Sequence, residues 1–130
     1  MTRGVFHILI ADRNQNVLEF LRREFLREGY RVQVAKDGFD LCNSLRSDDR
    51  PDLVILDPDL PFMDDCGTRE LLNRLSSEMP IVLHPLGGEK TESSPAVRTS
   101  LMVPKTGDPA ALKRTVRRVL EMRRETGDRP

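Results

Sequence analysis

The sequence predicts a doubly wound α/β domain: a parallel sheet with helices on both faces. Three observations predict it. Short apolar runs rich in branched side chains alternate with stretches of helical spacing along the whole chain. Two of those runs end on a carboxylate, Asp12 and Asp57. The chain has 130 residues, the length of one compact unit able to bury about two-thirds of its unfolded surface.

The elements follow in order. Phe6-His7-Ile8-Leu9-Ile10-Ala11 reads as a strand and ends at Asp12. A helix follows, with Val17, Leu18, Leu21 and Phe25 on one face; Asn14 or Asn16 can cap its start and Gly29 ends it. Arg31-Val32-Gln33-Val34-Ala35 alternates, as an edge-side strand does. Asp37-Gly38 marks a turn before a short, weakly amphipathic helix carrying Leu41, Cys42 and Leu45. Leu53-Val54-Ile55-Leu56 is apolar throughout, the pattern of a strand buried on both faces. It delivers Asp57 to the carboxyl rim of the sheet, where open α/β folds bind ligands. A strand-terminating Asp that merely starts a turn is the plainer alternative.

A helix from Arg69 to Leu75, a strand at Pro80-Ile81-Val82-Leu83-His84 and a short strand at Leu101-Met102-Val103 come next. Asp108-Pro109 starts the last helix, with Asp as cap and Pro in the first turn; Leu112, Val116, Val119 and Leu120 form its apolar stripe.

Composition narrows the function. The 21 basic and 21 acidic residues balance, so no global charge pulls the chain toward nucleic acid or membrane. The cations crowding the last helix, from Lys113 to Arg124, read first as a solvated outer face. Cys42 and Cys66 lack metal or redox spacing and fit two thiols in a reducing cytosol. His7 and His84 form no zinc motif, no Gly-rich phosphate loop follows the first strand, and no apolar stretch spans a bilayer. A cytoplasmic location is expected.

Ile8-Leu9-Ile10-Ala11-Asp12, then Asp57-Pro58-Asp59-Leu60-Pro61-Phe62-Met63-Asp64, then Lys105 ahead of Asp108-Pro109, resemble the receiver domain of bacterial response regulators. The resemblance runs from about Val5 to Leu120 and includes Gly29-Tyr30-Arg31-Val32 and the Asp37-Gly38 turn. It implies a flavodoxin-like five-stranded parallel sheet in order 2-1-3-4-5 with five helices. Strands 1 and 3 are then neighbours at the switch point, which brings Asp12 and Asp57 to one rim. It also implies a chemistry. Asp57 is the nucleophile that takes a phosphoryl group from a phosphohistidine on a histidine kinase or phosphotransfer protein. Lys105 pairs with the phosphoryl oxygens. Mg²⁺ is held by Asp12, Asp57 and the backbone carbonyl of Asp59. A Ser or Thr ending strand 4 and an aromatic on strand 5 carry the response to a partner surface.

The match is partial at four of these positions. The second acid of the usual pair after strand 1 is Arg13. A cation there repels Mg²⁺, by about 4 kcal/mol per unit of charge product at ~4 Å and a near-surface dielectric, so Mg²⁺ binding is expected to be weak or absent. If Arg13 stays, it can pair with Asp57 and supply some of the metal's charge; otherwise it is the first exposed residue of the helix 1 turn. Thr106 stands where a Pro normally follows Lys105. The switch hydroxyl position falls on Pro85, or on His84 if the register slips by one, and the aromatic position falls on Met102.

The segment from Leu86 to Ser100 is rich in Gly, Ser and Thr and contains Pro95 and one sizeable apolar residue, Val97, before the strand. Helix 4 is therefore expected to be short or absent, at most one turn after Ser94, and residues 87 to 95 to be mobile. The expected organisation is a receiver over 1–122 with a charged tail or linker start over 123–130. The expected function is a receiver in a phosphorelay that signals through contacts with a downstream protein or output domain. It is no enzyme beyond self-phosphorylation and dephosphorylation at Asp57. Two alternatives stand beside it: a phosphate-independent pseudo-receiver, and a phosphatase of the haloacid-dehalogenase type, whose Asp-x-Asp pattern Asp57-Pro58-Asp59 also satisfies.

Overall fold

A computed structural model describes residues 4–85 and 101–126. In chain order the elements are β1 (His7–Ala11), α1 (Gln15–Arg27), β2 (Arg31–Ala35), α2 (Gly38–Arg46), β3 (Leu53–Leu56), α3 (Thr68–Leu75), β4 (Ile81–Leu83), β5 (Leu101–Met102) and α4 (Ala110–Thr126). All strand pairings are parallel, in the order β2-β1-β3-β4-β5. That is the flavodoxin-like arrangement the resemblance implies, with β2 at one edge. Four helices lie among the described residues. The segment that would carry the short or absent helix 4, including residues 87 to 95, falls outside them.

Each cap follows from its local sequence. The Asn14 side chain accepts the N–H groups of Asn16 and Val17, which satisfies two orphan donors of α1 and decides between the two candidate caps. Gly29, at φ 97°, lets the chain leave α1 through a conformation that costs other residues strain. The Asp108 carboxylate accepts the Ala110 N–H at the start of α4. That helix continues to Thr126, beyond the domain boundary expected at 122.

The strand side chains alternate between two cores. Ile8, Ile10, Leu53, Ile55 and Val82 pack with α1 and α4 on one face. Leu9, Ala11, Val54, Leu56, Ile81 and Leu83 pack with α2 and α3 on the other. Burial of β3 on both faces explains its unbroken apolar run.

This sandwich fixes the rim. The register aligns Ala11 with Leu56, Leu56 with Leu83 and Leu83 with Met102. The ladder then runs one step further: the N–H groups of Asp57, His84 and Val103 donate to the carbonyls of Ala11, Leu56 and Leu83. Asp12, Asp57 and His84 therefore stand at one level on adjacent strands.

Candidate functional site

Asp12 and Asp57 are nearly inaccessible to solvent, at 1% and 2% exposure. Both are anchored through their backbones, Asp12 N–H to the Ala35 carbonyl at 3.0 Å and Asp57 N–H to the Ala11 carbonyl at 2.9 Å. The loops after β1 and β3 then donate to the carboxylates. Asp12 Oδ1 accepts the Asn14 N–H at 2.9 Å, and Asp57 Oδ1 accepts the Asp59 N–H at 2.9 Å. Asp57 Oδ2 accepts the Arg13 N–H at 3.3 Å. Each acid thus has one oxygen held by the turn that follows it, and the other points at the cations.

Two cations meet them. Lys105 Nζ lies 2.9 Å from Asp12 Oδ2 and 3.9 Å from Asp57 Oδ2. Its backbone N–H donates to the Pro85 carbonyl at 2.7 Å, which locks the chain after β5 to the end of β4. Arg13 meets the same oxygen of Asp57, with Nε 3.4 Å from Oδ2, and its Nη2 lies 3.6 Å from Asp59 Oδ2. Burial pushes the Asp12 carboxyl above its ordinary range, opposed by the Asn14 N–H and the Lys105 ammonium, while the Asp57 charge pushes the same way as burial.

Residues 8–117 match the response regulator receiver domain family. The chain belongs to that family. Among curated relatives, response regulator MprA of Mycolicibacterium vanbaalenii is 36% identical over 76 residues, which is 58% of this chain and 32% of the relative. MprA of Mycobacterium avium is 34% identical over 76 residues, 58% of this chain and 33% of that one. The chain thus spans about a third of the length of the curated relatives it matches. Response regulator TrrA of Thermotoga maritima, solved in complex with Mg²⁺-BeF, is 25% identical with a TM-score of 0.72, over 88% of this chain and 98% of that one. A CheY-like receiver of Methanospirillum hungatei has a TM-score of 0.77 at 21% identity, over 94% of this chain and 98% of that one, a likeness of fold.

As a receiver, the chain brings Asp12, Arg13, Asp57, Asp59 and Lys105 together at one rim. Both buried acids are already met by cations. The Arg13 guanidinium lies between Asp57 and Asp59, and the Lys105 ammonium closes on Asp12. Among the described residues, no three His, Cys, Asp or Glu side chains converge as a metal cluster. The Asp59 carboxylate is half exposed and lies opposite Arg13.

The two switch positions differ in setting. Pro85 is buried at the end of β4, next to the site. Met102 is 51% exposed on β5. The register places His84, not Pro85, level with Asp57.

His84, the alternative switch position read from sequence, is buried in a way the sequence did not reveal. It is 7% exposed, and its Nδ1 finds no hydrogen-bond partner among the described residues. Burial first, then the Lys105 charge, pushes its imidazole down to about 4, against a smaller opposite pull from Asp57. It is therefore neutral near pH 7. A cavity of about 90 Å³ lies beside it, walled by Val17, Phe20, Leu21, Lys105 and Leu112. The sequence signals for this placement are a histidine closing an apolar strand pattern and its place one residue from the expected switch position.

The loop after β3 is held by close approach. The Gly38 N–H donates to the Pro61 carbonyl at 2.7 Å, and a Cβ on Gly38 would collide with the Phe62 carbonyl. Phe62 itself takes φ 61°, an uncommon conformation for a residue with a side chain. This contact steadies the segment that carries Asp59. No described helix is long and apolar enough to cross a membrane.

Proposed function

We propose that this chain is the receiver end of a two-component phosphorelay, in which Asp57 accepts a phosphoryl group from a histidine kinase or phosphotransfer protein. The signal passes on by contact with a downstream protein or an output domain. The observation that carries this reading is the meeting of Asp57 and Asp12 at the rim with Lys105 Nζ 2.9 Å from one and 3.9 Å from the other. Lys105 takes up the negative charge that arrives with the phosphoryl oxygens, an interaction strengthened by its burial. Residues 1–122 serve as the receiver and 123–130 as tail or linker. Mg²⁺ binds weakly, because Arg13 replaces an acidic ligand and adds like charge. The structural response to phosphate is muted, because Pro85 offers no hydroxyl and Met102 no aromatic ring.

The experiment is incubation with acetyl phosphate, and separately with phosphorylated kinase, followed by intact mass. One aspartyl-phosphate is expected on wild type and none on Asp57→Asn. Labelling that persists in Asp57→Asn would show that the acceptor lies elsewhere. One observation favours a second reading: Asp57 is 2% exposed and already paired with Arg13. If wild type never labels with either donor, the chain is a pseudo-receiver that works by protein contact alone. Turnover of a generic phosphate ester would revive the phosphatase reading.

A further inference from the structure

We infer that Arg13 does the work of the divalent ion, so that Asp57 accepts a phosphoryl group without metal. The inference rests on the reading of Asp57 as phosphoacceptor and carries further the alternative in which Arg13 supplies charge in place of the metal.

The position argues for it first. The Arg13 backbone N–H and its Nε both address Asp57 Oδ2, at 3.3 and 3.4 Å, and Nη2 reaches Asp59 Oδ2 at 3.6 Å. The guanidinium is anchored at its root and spans the two acids. Its side chain is 44% exposed while Asp57 is 2% exposed, so a donor coming from solution meets Arg13 before it meets Asp57.

Charge balance argues for it next. Asp12 and Asp57 carry two negative charges and Lys105 supplies one positive charge. Without Arg13 the pocket would be net negative and would repel an anionic donor. With Arg13 the two buried acids are balanced by the two cations, and one net negative charge remains on Asp59, which is half exposed and itself paired with Arg13. A guanidinium stays charged at every physiological pH and offers a planar fork that fits two phosphoryl oxygens. Lys105 adds a point charge 3.9 Å from Asp57 Oδ2.

The step balances with these groups alone. A carboxylate oxygen of Asp57 attacks phosphorus, an O–P bond forms, and the P–N bond of the phosphohistidine breaks. The electron pair leaves with the imidazole nitrogen. With acetyl phosphate the P–O bond breaks and acetate leaves. Arg13 turns from Asp57 Oδ2 to the incoming oxygens as charge accumulates on them, and Lys105 holds the remaining oxygen.

The test is labelling of the full chain by acetyl phosphate in Mg²⁺ and in EDTA, read by intact mass. Wild type is expected to label at about equal rates in both. Arg13→Asp is expected to reverse this: it restores an acidic ligand and removes the cation, so labelling in EDTA falls by about a hundredfold and Mg²⁺ recovers it. Arg13→Gln removes the charge without adding a ligand and is expected to label slowly in both conditions. A residue that only shaped the loop would change labelling by the same factor with and without metal.

Wild-type labelling that requires Mg²⁺ overturns the inference and leaves the phosphoacceptor reading standing. A wild type that never labels while Arg13→Asp labels in Mg²⁺ also overturns the inference: Arg13 would then be a block, and the chain as it stands a pseudo-receiver. Failure of both proteins with either donor removes the phosphoacceptor reading, and the inference with it.

Discussion

The rim has two halves that differ in what they keep. The half built on β1 and β3 carries charge: Asp12, Arg13, Asp57 and Asp59, each acid held by a backbone donor or a cation. The half built on β4 and β5 carries, among the described residues at the expected switch positions, a buried imidazole, a proline and an exposed methionine. Lys105 alone comes from the second half and serves the first. On the proposed reading, accepting a phosphoryl group and responding to it are separable properties. The first needs balanced charge over a few ångströms. The second needs a hydroxyl and a ring able to move together.

The largest effect should come from breaking the link between the halves. Lys105→Ala leaves Asp12 buried without its ammonium partner, and loss of one member of a buried pair costs about 3 kcal/mol or more. Urea unfolding should report that loss, and acetyl phosphate labelling of Asp57 should fall about a hundredfold. A variant as stable as wild type would mean that Asp12 is satisfied by the Asn14 N–H alone.

The halves should also answer acid with opposite signs. His84 has a folded value of about 4 against an ordinary 6.5. Its neutral form is the folded one, so its contribution is complete above about pH 6.5 and is lost as pH falls toward 4, about 3 kcal/mol across that window. Asp12 runs the other way. Its folded value is raised above 3.8, so the fold holds that proton more tightly. Its contribution is greatest at low pH and is lost as pH rises through the folded value. Unfolding measured at about pH 7 and about pH 4.5 should show wild type losing about 2 kcal/mol more than His84→Leu. Equal losses in the two proteins would place the His84 ring in contact with water.

The fold was legible because strand periodicity and burial are one fact. Leu53 to Leu56 are all apolar since α1 and α4 cover one face of β3 and α2 and α3 the other. The acids were legible because each ends such a run. The Arg13–Asp57 pair was legible only as one of two alternatives for Arg13, and its reach to Asp59 was not legible. Sequence spacing puts Arg13 beside Asp12, yet its guanidinium goes to Asp57 and Asp59, 44 and 46 positions on, because β1 and β3 are neighbours in the sheet. The level of His84 depended on strand register, which is set by packing along β3 and β4 rather than by any local residue. The collision that requires glycine at position 38 depended on where the loop after β3 folds back, and the Asp37-Gly38 turn gave only half of that contact.

The smallest effect sharpens the comparison from the silent half. Met102 is half exposed at the end of β5, so Met102→Tyr should change stability by no more than about 0.5 kcal/mol. It should also add nothing to the response, because a ring moves only when a neighbour vacates or occupies its place, and Pro85 has no hydroxyl to draw toward phosphate. Pro85→Thr supplies that hydroxyl and keeps the carbonyl that accepts the Lys105 N–H at 2.7 Å. Hydrogen exchange on labelled and unlabelled protein should therefore differ little for wild type and for Met102→Tyr, and should differ over β4 and β5 only in the double variant. A full response from Met102→Tyr alone would mean that the ring is driven by Lys105 directly, and the division of the rim into an accepting half and a relaying half would fail.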